Sequence, residues 1–73
     1  MSSERPFDLL NESIGKNVLV ELKGNLSFRG KLKAFDVHMN VVLEDAEKFE
    51  AGELKSKVGK ILLRGDTVLF ISP

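Results

Sequence analysis

Residues 61–71 read Ile61-Leu62-Leu63-Arg64-Gly65-Asp66-Thr67-Val68-Leu69-Phe70-Ile71. Two short apolar runs flank Gly65-Asp66, a pair suited to a tight connection between strands. A strand with one face in the core and the other in water alternates apolar and polar residues, and neither run does so. Both faces of both strands therefore need cover. A chain of 73 residues has too little material to supply it, because a domain of this size buries only about 60% of the surface its unfolded form exposes. The simplest cover is another copy of the chain, the edge strand of one pairing with the edge strand of the next. Such a head-to-tail contact either closes into a ring or runs on as a fibre.

Working back from these two strands, Val58–Arg64 and Thr67–Ser72, the rest of the chain reads as one all-β unit behind a helix. Ala51-Gly52, between Glu50 and Glu53, marks a hairpin tip, and the strand before it starts near Asn40 with Val41, Val42 and Leu43. A longer strand runs from Leu26 to about Asp36, with Leu26, Phe28, Leu32 and Ala34 on one face and Ser27, Arg29, Lys31 and Lys33 on the other. Gly30 interrupts it. A glycine weakens a long strand unless a sharp bend or a close backbone approach requires it, so Gly30 is expected to be the bend that closes a small barrel. From Asn17 to Lys23 the period is two, and Gly24-Asn25 supplies the turn into the next strand. Upstream, residues 6–15 open with Pro6, place Phe7, Leu10 and Ile14 on one face and end on Gly15, the pattern of a short amphipathic helix. Residues 1–5 carry no such signal and are expected to be flexible.

Composition narrows the function. There is no cysteine and a single histidine, which excludes disulfides and thiolate metal sites and leaves little for zinc. Neither a cofactor nor a metal is expected. Self-association remains as the usual reinforcement of a small fold. No apolar run approaches the roughly 20 residues that span a bilayer, and the N-terminus lacks a secretory pattern. The expectation is a soluble, cytoplasmic protein with no membrane partner. Eleven basic and eleven acidic residues cancel, so nucleic-acid binding would have to come from focused residues and not from a polycationic surface.

Asp36, His38 and Ser27 are the residue types of a hydrolytic triad, but Asp36 and His38 lie two apart at a strand end and no nucleophile turn surrounds Ser27. None of the six glycines falls in a phosphate-loop pattern. An enzyme is not expected. His38 and Arg64 are flat, polarisable side chains at strand ends, and Asn40 carries a donor and an acceptor on one planar amide. An unstacked base could be sandwiched by the first two and read by the third. Each also has a plain explanation as a turn or loop residue. Arg29, Lys31 and Lys33 read as a solvated face, and Met39 as core packing.

The segments Phe28-Arg29-Gly30, Phe35-Asp36-Val37-His38-Met39-Asn40 and Val42-Leu43-Glu44-Asp45-Ala46 resemble the first motif of the Sm/Lsm family, and Ile61-Leu62-Leu63-Arg64-Gly65-Asp66-Thr67-Val68 resembles the second. Arg5-Pro6 before the helix also fits, and the likeness is greatest to the archaeal Sm-like proteins. The resemblance implies an Sm fold over residues 1–73, mainly β: an N-terminal helix and then, over 17–73, a strongly bent five-stranded antiparallel SH3-like barrel that forms rings. It implies a homoheptamer that binds U-rich single-stranded RNA around its pore, in RNA processing or turnover, with other RNA-processing proteins as further partners. By the same resemblance, His38 and Arg64 take the stacking positions, Asn40 reads the base, Asp66 supports Asn40, and Gly65 lets the backbone approach the base. Arg5 and Phe35 are candidates for a second RNA contact on the helix-bearing face. His38 stands where many eukaryotic members have an aromatic residue. The rival is an SH3-like scaffold that takes a peptide.

Overall fold

The structure, a computed structural model, describes residues 5–73. One helix, α1 (Pro6–Ser13), precedes five strands, β1 (Asn17–Leu22), β2 (Leu26–Phe35), β3 (Val41–Glu50), β4 (Glu53–Leu63) and β5 (Val68–Ser72), with one 3-10 turn at Gly65–Thr67 before β5. Every pairing is antiparallel, and the strand order β4-β3-β2-β1-β5 leaves β4 and β5 as the two edges of one sheet. The two strands whose composition calls for cover on both faces are thus the two with a free edge. On them Leu62 is 63% exposed, Leu69 58% and Phe70 53%.

The core is formed by the inward faces of all but one of the strands, with Val18, Val20, Leu22, Phe28, Leu32, Val41, Leu43, Ala46 and Leu63 buried together with Leu10 of the helix. Period two places Val18, Val20 and Leu22 on one side of β1 while Asn17 and Glu21 face outward. On β2 the alternation holds at Phe28 and Leu32, but Ala34, expected inside, is exposed. The register between β2 and β3 shifts between Leu32 and Ala34, so the period-two count cannot be carried through to the strand's end.

Gly30 lies at the other shift in that register, between Arg29 and Lys31. A Cβ there would stand 3.0 Å from both the Cα of Ala46 and the carbonyl oxygen of Glu44. The bend expected at Gly30 is therefore also a close approach of two backbones, which a side chain would push apart. On the far side of β3, Ala46 pairs with Gly59, which has φ +74°. The strongly bent sheet is continuous across β2, β3 and β4.

Three boundaries differ from expectation. The helix stops at Ser13, because Ile14 is already extended and the Gly15 N–H donates to the Leu32 carbonyl (2.8 Å), drawing the chain across to β2. Of Phe7, Leu10 and Ile14 only Leu10 is buried, joined by Ser13, whose hydroxyl donates to the Leu9 carbonyl (3.0 Å). Next, β4 begins at Glu53 and not at Val58. Ala51 and Gly52 both have positive φ (51° and 83°), forming a two-residue hairpin turn that pairs Glu50 with Glu53 at once. Last, the β4–β5 connection includes Thr67, whose N–H and hydroxyl both donate to the Arg64 carbonyl. The flexibility expected for residues 1–5 lies, for 1–4, outside the described residues; Arg5 is the N-cap of α1 and its carbonyl accepts from the Leu9 N–H (3.1 Å). Among the described residues no helix is long and apolar enough to cross a membrane, and no cluster of His, Cys, Asp and Glu could hold a metal ion.

Candidate functional site

Two loops meet at one end of the sheet: residues 36–40, between β2 and β3, and residues 64–67, between β4 and β5. β3 and β4 pair from Val41↔Leu63 onward, so the residue before one strand and the residue after the other stand side by side. Asn40 and Arg64 are those residues. Together with His38, Gly65 and Asp66 they line a shallow concavity of about 470 Å³.

The first loop is organised by Asp36. Its Oδ1 accepts from the backbone N–H of His38 (2.9 Å) and of Asn40 (3.1 Å), while Oδ2 accepts from the side-chain Nδ2 of Asn40 (3.0 Å). Its own N–H donates to the Asn40 carbonyl (3.1 Å), and its carbonyl accepts from the Met39 N–H (3.0 Å). Met39 completes the turn at φ +62°, a region unusual for a residue with a side chain and most often found where neighbouring bonds enforce it. The hydrogen bond from the Asn40 amide, then those from the two backbone N–H groups and the nearby imidazole, hold the Asp36 carboxyl below the usual aspartate range, against a smaller opposing effect of burial.

The second loop locks onto the first. The Gly65 N–H donates to Oδ1 of Asn40 (2.8 Å). A Cβ on Gly65 would collide with the His38 carbonyl oxygen and lie 2.8 Å from the Met39 carbonyl carbon. Glycine is required here because the two loops are in backbone contact, so the close approach is to the His38–Met39 peptide.

Asn40 is therefore gripped from both sides by partners of opposite kind. A carboxylate only accepts and a backbone N–H only donates, so turning the amide over would set NH2 against N–H and oxygen against carboxylate. Its orientation is fixed before any ligand arrives. One N–H and one lone pair of the planar amide are left over by these two bonds for a ligand.

All five residues named from the sequence, His38, Asn40, Arg64, Gly65 and Asp66, come together. The internal bonding differs from the expectation in one respect. The carboxylate on the Asn40 amide belongs to Asp36, and Asp66 instead receives Nη2 of Arg64 (3.1 Å), both side chains being exposed. A surface pair of this kind contributes about 0–1 kcal/mol, enough to bias the guanidinium without fixing it. The signal that could have found Asp36 was present: an aspartate two residues before His38 and four before Asn40 is placed for an Asx turn onto their N–H groups.

Arg5 and Phe35 do not line this concavity. Phe35 is half-buried at the end of β2, its ring 5.6 Å from that of Phe7 on α1 and tilted by 51°. The triad geometry is not assembled either: Asp36 bonds the backbone and not the ring of His38, and Ser27 sits at the opposite end of β2.

A bent five-stranded antiparallel sheet behind a short helix, with an asparagine loop pinned to an Arg-Gly-Asp loop, is an Sm-type fold. The LSM domain model matches residues 8–73, and the chain belongs to that family. It is 54% identical over 69 residues to an Sm-like protein of Archaeoglobus fulgidus, covering 94% of this chain and 90% of that protein. Among solved structures it superposes with a TM-score of 0.92 on the Sm protein of Pyrococcus abyssii in complex with a uridine heptamer, at 53% identity, covering 96% of this chain and 99% of that one. A heptameric archaeal Sm protein gives a TM-score of 0.82 at 49% identity, covering 89% and 94%.

Proposed function

We propose that this chain is the subunit of a homoheptameric ring that binds U-rich single-stranded RNA, one base at each socket of His38, Asn40, Arg64, Gly65 and Asp66. The observation that carries this is the half-used amide of Asn40. Uracil presents a ring N–H beside a carbonyl oxygen, and the remaining lone pair and N–H of Asn40 complement that pair. Cytosine presents the reverse order, and the grip of Asp36 and Gly65 prevents the amide from turning to suit it. A mismatched base leaves polar groups unpaired at a cost of about 1–3 kcal/mol. His38 and Arg64, both exposed beside the amide, supply stacking of about 1–3 kcal/mol per base without regard to sequence.

One such socket binds weakly, and a closed ring of them raises affinity through effective concentration on a single strand. The free edges of β4 and β5 and their exposed apolar residues support head-to-tail assembly. The uridine heptamer held by a relative 53% identical supports the base, and the heptameric archaeal Sm protein 49% identical supports the copy number. The role is binding and not catalysis, in the cytoplasm, as a scaffold or chaperone in RNA processing or turnover. Arg5 and Phe35 form a second, weaker RNA contact on the helix-bearing face, where the Phe7–Phe35 pair offers an aromatic surface.

Fluorescence anisotropy with oligo-U, oligo-C and oligo-A, run beside light scattering, tests this. The wild-type protein is expected to prefer oligo-U as a ring-sized particle, and Asn40→Ala to lose most of that affinity with its mass unchanged. Equal binding of the three oligomers would refute base readout. A monomer indifferent to all of them would favour a peptide-binding scaffold.

A further inference from the structure

Behind the base socket lies a second concavity of different chemistry. It is an apolar groove of about 270 Å³ lined by Pro6, Leu9 and Leu10 of the helix, Val68–Ile71 of β5, Gly65 and Met39. Leu69 and Phe70 are more than half exposed along it. Gly65 belongs to both concavities. Met39 stands between His38 and Asn40 in sequence, yet it lines the groove and packs on the core while its two neighbours line the socket.

The backbone gives Met39 leverage. With φ at +62° it forms the corner of the 36–40 loop, and its carbonyl carbon lies close under Gly65. The peptide planes on its two sides carry His38 and Asn40. A shift of the Met39 side chain therefore turns the groups that read and stack the base. The hydrogen bonds of Asp36 hold the backbone of this corner, and a thioether side chain with three rotatable bonds adds to that hold only where its surroundings are packed.

We propose that Met39 is a positioning residue that couples subunit docking to base reading: the β4 edge of a second copy fills the groove, clamps Met39 and so holds the 36–40 corner, with the Asn40 amide that Asp36 and Gly65 orient, in place against the base. The inference rests on the ring reading above and extends it to how the socket is completed. The occupant is the β4 edge because it is the other unpaired edge of the sheet, and because Leu62, 63% exposed at the end of β4 nearest the 64–67 loop, is the apolar side chain left without cover there. Leu54 and Val58, also exposed, lie further out on the same strand.

The test compares wild type, Met39→Ala and Met39→Leu as full chains, measuring particle mass by light scattering and affinity for oligo-U and oligo-C by anisotropy. Met39→Ala is expected to keep the ring mass, to lose about tenfold in oligo-U affinity and to lose most of the preference for U over C. Met39→Leu, which refills the groove with similar volume, is expected to stay within about twofold of wild type on both. A Met39→Ala ring with wild-type affinity and wild-type U-over-C ratio overturns the inference, and so does a loss equal for oligo-U and oligo-C. If Met39→Ala fails to fold, Met39→Gln decides: it preserves length but puts an amide in the apolar groove, and unchanged selectivity would equally overturn the coupling. A wild-type ring that ignores oligo-U would instead defeat the functional reading itself, an outcome read from the wild-type curves alone.

Discussion

Met39 and Ala51 both hold left-handed backbone conformations at the ends of β3, with φ of +62° and +51°, yet the two ends are built differently. Around Met39, Asp36 and Gly65 contribute five hydrogen bonds to His38 and Asn40 and one glycine stands in backbone contact with the neighbouring loop. Around Ala51, residues 51–58 are all exposed, and the turn is held by strand pairing, one hydrogen bond from the Ala51 N–H to the Asn25 carbonyl (2.9 Å) and surface ion pairs such as Lys55–Glu53. Strain that is over-determined by its surroundings marks a place where geometry matters to a ligand. Strain that merely closes a hairpin does not.

Substitutions should separate the two ends. The largest effect is expected from Gly65→Ala, because the new Cβ meets a backbone carbonyl and not a side chain that can swing away. It should cost about 2–3 kcal/mol in denaturant unfolding and abolish oligo-U binding. A fold as stable as wild type would show that the two loops can part freely.

Next comes Asp36. Asp36→Asn replaces one accepting oxygen by a donor that faces the N–H groups of Asn40, so the preference for U over C should fall about tenfold. Selectivity unchanged in Asp36→Asn would mean that Gly65 alone orients the amide. The pH dependence has a definite sign. The folded-state pKa of Asp36 is lowered, so its contribution is fully present above the ordinary aspartate range and is lost as pH falls through the lowered value. Oligo-U selectivity should thus be insensitive to this group near neutrality and decline only in acid, and Asp36→Asn should remove that decline. The smallest effect is expected at the other end: Ala51→Asn suits the two-residue turn and should raise stability by about 0.5–1 kcal/mol, seen as a higher unfolding midpoint, with no change in RNA affinity.

The same contrast separates what could be read in advance from what could not. The strands with period-two burial and the turn at Ala51-Gly52 follow from residue type, because side-chain direction and turn preference are local properties, whereas at Gly30 the residue type marked the bend and its reason, the approach of Ala46 and Glu44, came only with the fold. The first half of β4 was not legible: Lys55, Ser56 and Lys57 carry no strand pattern, and the segment is extended because its backbone bonds to β3 from Glu53 onward. The helix end was misplaced by two residues because Gly15 serves a hydrogen bond to Leu32 and not a helical cap. At the site, the membership of His38, Asn40, Arg64, Gly65 and Asp66 was visible from motif and residue chemistry. Which carboxylate grips Asn40 was signalled only by the spacing of Asp36 to His38 and Asn40, and the contact of its side chain with the amide depends on the positive φ of Met39, for which a non-glycine residue carries no local signature.

The placement of the two free strands at opposite ends of one curved sheet also makes each protein molecule a kind of protractor. In a closed assembly every junction must turn by the full circle divided by the number of members, and that angle is stored in the curvature between the first edge and the last. The tight contact of Gly30 with Ala46 and Glu44 lies on that arc. In the proposed ring, the number of members is in this sense a property of how sharply a single subunit curls.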